Sequence, residues 1–111
     1  MIEKSAVVLA GGRLVRWRSG GPAHVDFDWA WVLAREEADG DVVGFYHTHP
    51  VGISGMSGRD RATMHAWALA FGKPLVCAIR CGRGVRAWMC DKSGAAREVE
   101  AILAKRKLRW V

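Results

Sequence analysis

Val43-Gly44-Phe45-Tyr46-His47-Thr48-His49-Pro50, with Ser57 and Asp60 beyond it, is the stretch on which the fold turns. Val42, Val43, Phe45 and Tyr46 favour extended backbone and predict a central strand over Asp41 to His49, with both histidines at its C-terminal end. Residues two apart on a strand face the same side, so His47 and His49 present their imidazoles together. Asp60 follows His47 by thirteen residues. It falls at the start of the next predicted helix and can swing back as a third ligand. Two imidazoles and one carboxylate leave the fourth tetrahedral position of a zinc ion open to water, which is the arrangement of a catalytic zinc site.

Outward from this stretch, Pro50 to Met56 reads as a loop. Ser57 then reads as the N-cap of a helix running to about Phe71, with Asp60 at its third position in a capping box. Met64, Trp67, Ala68 and Phe71 share one face of that helix, and Gly72 suits its end. The same Ser57 and Asp60 would be explained by a helix cap alone, but cap and ligand are compatible roles. A cap fixes the first turn and so aims Asp60.

Upstream, Ala6 to Ala10 is an apolar run closed by Gly11-Gly12, and Leu14 to Arg18 is its expected hairpin partner. Asp28 to Ala38 has a helical apolar face, with Asp26 or Asp28 to start it and Gly40 to end it. Downstream, Leu75 to Arg80 and Val85 to Asp91 predict a hairpin around Gly82-Arg83-Gly84. In the tail, Val99, Ile102 and Leu103 favour a helix, while Leu108 to Val111 suits a short edge strand.

With 111 residues, one domain spanning 1–111 is expected. Half of the residues are apolar and a quarter are charged, as in an ordinary globular protein. No apolar run approaches the roughly 20 residues of a membrane-spanning helix. Met1-Ile2-Glu3-Lys4 carries an acidic residue before a short apolar stretch, so a signal peptide is not expected and a cytoplasmic location is. Cys77, Cys81 and Cys90 are an odd number in strand-like surroundings and read as buried reduced thiols. The net charge of +6 comes from 17 basic and 11 acidic residues. It reads first as a solvated basic surface. A nucleic-acid-binding module is the rival reading, but no aromatic-basic RNA motif or helix-turn-helix pattern supports it. His24 and His65 read as surface or helix residues and Trp67 and Trp88 as core. Trp29, Trp31 and Trp110 read as packing or as a partner surface.

His47-Thr48-His49-Pro50, six residues, Ser57, two residues and Asp60 resemble the signature of the JAMM (JAB/MPN) metalloprotease family, in the form of a short prokaryotic JAB-type domain. Val43-Gly44-Phe45-Tyr46 is similar to the strand that enters this signature. The resemblance implies an α/β fold, a cytidine-deaminase-like core with a mixed curved sheet flanked by helices. It implies one catalytic zinc on His47, His49 and Asp60, and a Ser57 hydroxyl that donates to the developing oxyanion. Glu3-Lys4-Ser5-Ala6-Val7-Val8-Leu9-Ala10-Gly11 looks like the family's early strand, with Ala6 where a glycine is usual, and this maps Glu3 onto the general base. Glu36 and Glu37 are rivals for that role, on an expected helix surface.

The activity implied is hydrolysis of a peptide or isopeptide bond after the tail of a ubiquitin-like protein, a deubiquitinase-like reaction. A non-catalytic MPN-type scaffold in a larger complex is the alternative. Relatives usually carry a helix before the Glu, and here only Met1 and Ile2 precede it. That implies a protein partner or second copy over this face, or a minimal domain.

Overall fold

A computed structural model describes residues 3–20, 27–49, 55–82 and 84–111. The element order is β1 (Lys4–Leu9), β2 (Arg13–Ser19), α1 (Trp29–Asp39), β3 (Val42–His49), α2 (Gly58–Phe71), β4 (Leu75–Cys81), β5 (Gly84–Cys90), β6 (Ala96–Val99), β7 (Ala101–Ala104) and β8 (Lys107–Trp110). All eight strands form one mixed sheet in the order β6-β5-β4-β3-β1-β2-β8-β7. β3 and β4 pair in parallel across the α2 crossover, and the other pairings are antiparallel. The sheet curls until it is nearly a barrel, and β6 and β7, at opposite ends of the order, are joined by Glu100 alone. This is the α/β architecture expected, a curved mixed sheet flanked by helices.

Period-two alternation divides the strands between two cores. Val7, Leu9, Phe45, Cys77 and Ile79 face α1 and α2, where Val32 and Met64 meet them. Ala6, Val8, Tyr46, Val76 and Ala78 face the inside of the curl with Leu14, Val99 and Leu108. Large apolar side chains such as Phe45 each stabilise the fold by about 1.5–3 kcal/mol when fully buried. Small residues are needed where strands close up. A Cβ on Gly44 would lie 2.1 Å from the Val76 carbonyl oxygen, so β3 and β4 can approach only with glycine there.

Two bulges set which side chains reach the helix face. Val8 pairs with Gly44 but Leu9 pairs with Val42, so Val43 is an extra residue on β3. The slip puts Val42 and Phe45 on the same side, and His47 and His49 follow Phe45 at period two. On β2, Ser5 pairs with Arg18 and Val7 with Val15, leaving Arg16 bulged at φ 55°. Its guanidinium Nη2 donates to Asp28 at 2.7 Å. Asp28 caps α1 by accepting from the Trp31 amide, and these bonds, Arg16 first, hold its carboxyl below the usual range. Asp28 is thus the cap of α1, and the alternative Asp26 lies outside the described residues.

The tail differs from the helix expected over Val99, Ile102 and Leu103. It forms β6, β7 and β8. Val99, Ala101 and Leu103 form an alternating set that packs toward the inner core, while Ile102 is left 69% exposed. Lys105 and Arg106, both at positive φ, make the two-residue turn whose twist matches a hairpin. Among the described residues no helix is long and apolar enough to cross a membrane.

Candidate metal centre

β3 ends with His47 and His49 on the helix face, only 4% and 9% exposed. α2 brings Asp60 to them. The cap of α2 explains the aim. The Ser57 hydroxyl accepts from the Asp60 amide at 3.0 Å, and Asp60 Oδ2 accepts in return from the Ser57 amide at 2.9 Å. The carboxylate is thereby turned back over the helix end and onto the strand. Its oxygens lie 3.4 Å from His47 Nε2 and 3.3 Å from His49 Nε2, and the two Nε2 atoms are 3.0 Å apart.

These separations match the edges of a coordination tetrahedron, about 3.3 Å for donors at zinc-ligand distance. The chemistry of the set points the same way. Imidazole lone pairs and a carboxylate facing one another in a buried site repel unless a proton or a cation sits between them. His47, His49 and Asp60 form the group able to hold a metal ion among the described residues. Burial pushes the Asp60 carboxyl up, but bonding to His47 and to the Ser57 amide outweighs it and leaves it at about 2. A carboxylate that stays ionised is what a cation requires. His49 Nδ1 is buried and finds no partner among the described residues.

A cavity of about 170 Å³ opens beside the cluster. Glu3 lines it and is 5% exposed, so it is buried beside the ligands rather than frayed. The Gly20 amide donates to the Glu3 carbonyl, and the Lys4 amide donates to Thr48 Oγ1 between the two histidines. Ser57 also lines the cavity; its Oγ accepts from Asp60 and keeps its O–H free to donate. All five residues singled out in the sequence therefore meet in one place. The rivals do not: Glu36 binds Lys73 Nζ at 2.9 Å and the Val42 amide, and Glu37 is exposed. Neither lines the cavity.

The sequence reading missed the remaining wall. Phe27 and Trp29 stand on one side, Arg59 and Thr63 on the other, and Cys77 lies within, its thiol pushed up by burial. Trp29 stacks on Trp67 at 4.8 Å and meets Phe45 edge-on at 5.5 Å, so it serves packing. Arg59 and Thr63 had a usable signal. They lie one turn apart on a helix whose cap already aims Asp60 at the site. Phe27 and Trp29 had none, because their place depends on how α1 docks. His65 is a helix residue, as expected, and its Nε2 lies 3.0 Å from the Lys92 carbonyl. Cys77, Cys81 and Cys90 are free thiols. His24, Pro50 and the loop to Ser54 lie outside the described residues.

Fold and donor set together define an α/β domain with a His-His-carboxylate cluster fit for a metal ion. The chain belongs to the prokaryotic JAB-domain family: the family described as prokaryotic homologs of the JAB domain matches residues 6–91. The match covers His47, His49, Ser57 and Asp60 and begins after Glu3. No curated protein matches the chain.

Proposed function

We propose that this protein is a zinc-dependent peptidase or isopeptidase acting after the tail of a ubiquitin-like protein. The observation that carries the reading is the shared cavity, which buried Glu3 lines together with a three-donor cluster. When bound to His47, His49 and Asp60, zinc would supply an acidified water, with a pKa near 7, and Lewis-acid polarisation of the scissile carbonyl.

The chain's own residues do the rest. Glu3 takes a proton from the attacking water and returns it to the leaving amine, so one carboxylate serves both half-steps. The Ser57 O–H donates to the oxyanion while its oxygen continues to cap α2. Phe27, Trp29 and Phe45 keep bulk water from the reacting groups, which strengthens every polar contact inside. Belonging to the JAB-domain family supports this reaction class over the nucleic-acid reading.

The test combines metal content with cleavage of a ubiquitin-like fusion. Wild type is expected to carry about one zinc per chain. Glu3→Gln should keep the zinc and lose about 100-fold or more of kcat/KM. Zinc uptake without cleavage of any fusion or isopeptide would leave a non-catalytic MPN-type scaffold. Failure to take up zinc would overturn the reading.

A further inference from the structure

We propose that Arg59 is a specificity residue of this site and binds a substrate carboxylate next to the scissile bond; this rests on the peptidase reading above. Apart from the ligand histidines, Arg59 is the basic side chain among the described residues that line the cavity. It is exposed and has no ion-pair or hydrogen-bond partner among the described residues. The other arginines that reach carboxylates are engaged: Arg16 and Arg18 on Asp28, Arg35 on Asp41 and Arg86 on Glu98. Among the described residues, the cation at this cavity is left free.

Its surroundings narrow what it would take. Thr63 lies one turn along α2 on the same wall and adds a hydroxyl. Phe27 and Trp29 supply an apolar wall. A space of about 170 Å³ is below the roughly 300–1,000 Å³ of a cofactor or drug-sized ligand site and suits one amino-acid side chain. The arrangement therefore fits an apolar residue beside a carboxylate. Guanidinium binds carboxylate through two parallel N–H bonds, which fixes orientation as well as charge.

Two sources share this chemistry, the α-carboxylate of a chain's last residue and an Asp or Glu side chain. In either case hydrolysis is the same: the water's hydroxyl goes to the acyl carbon and its proton to the leaving amine. Arg59 stays protonated throughout, so it selects and orients without transferring a proton.

The test uses zinc-loaded Glu3→Gln protein and uncleaved peptide pairs, titrated calorimetrically. One pair ends in a free acid or an amide; the other carries Glu or Gln beside the scissile bond. The expected result is a preference of about tenfold or more for the carboxylate in one pair, which names the source. Adding Arg59→Ala should bring that ratio close to unity, and Arg59→Lys should restore part of it. Equal affinities within both pairs would overturn the inference. So would a preference that survives Arg59→Ala, since the carboxylate would then sit on the metal. The peptidase reading fails separately. An Arg59-dependent preference without cleavage by wild type would sink that reading and leave carboxylate binding standing; cleavage without a preference would do the reverse.

Discussion

The two faces of β3 handle polar groups in opposite ways. On the inner face, the Tyr46 hydroxyl accepts from Arg80 Nε at 3.1 Å and Thr48 Oγ1 accepts from the Lys4 amide at 2.9 Å. Each polar group there is answered by the protein. On the helix face, His47 and His49 turn their Nε2 atoms toward each other and toward Asp60, three sets of lone pairs with one space between them. One face is complete in itself, and the other needs a proton or a cation between its donors. Eight consecutive residues can carry both because alternation keeps the two sets of side chains from meeting.

The largest effect should come from breaking the helix face. His47→Ala, His49→Ala or Asp60→Ala is expected to weaken zinc affinity by more than about 100-fold, beyond the range found when only an outer partner of a ligand is lost. Thr48→Val, on the other face, should leave zinc uptake unchanged. Competition with a chromogenic chelator separates the two. Gly44→Ala comes next, since its Cβ would press on the Val76 backbone. A loss of about 1–3 kcal/mol or more in urea unfolding is expected.

Ser57→Ala should cost about 1 kcal/mol through the lost cap, and should also loosen Asp60. If zinc affinity falls with it, cap and ligand are one device. A further effect, confined to acid, is in pH. Asp60 sits at about 2 in the folded chain against an ordinary 3.8, so its ionised form favours folding. That contribution is present above pH 3.8 and is lost as pH falls toward about 2. Metal-free wild type should therefore lose stability over this window, and Asp60→Asn should flatten the loss in denaturant midpoints taken at each pH.

How much of this was legible in the sequence depends on how far apart the deciding residues lie. α2 could be read almost to the residue, because Ser57, Asp60 and Gly72 are local signals with local geometry. β3 could be read for the same reason, though not its bulge at Val43, which depends on the partner strand. Four of the five site residues, His47, His49, Ser57 and Asp60, are legible because strand alternation and a capping box each aim side chains in a known direction. Glu3 came through the family resemblance, and its burial beside the cluster is a tertiary fact. The tail was misread over Val99 to Leu103 and read as a strand, as found, over Leu108 to Val111, although β8 lies inside the strand order and not at its edge. Val99, Ile102 and Leu103 fit a helical face, yet Val99, Ala101 and Leu103 fit a strand, and the inner core settled the choice. Phe27 and Trp29 join the cavity through tertiary docking, which no nearby pattern announces.

The single-residue link at Glu100 has a consequence for the C-terminal strands. β6 pairs with β5 over Ala87 to Cys90, and β8 meets β2 at Arg13 and Lys107, so one short segment touches both flanks of the sheet. Without it, two long strands would offer unpaired N–H and C=O groups to any passing chain, the condition for sheet-to-sheet aggregation. With it, the second half of β5 and the first residue of β2 are paired. The family match stops at Asp91. The residues beyond Asp91 act as a clasp that holds on to both flanks of the sheet, while the group able to hold a metal ion lies on β3 and α2.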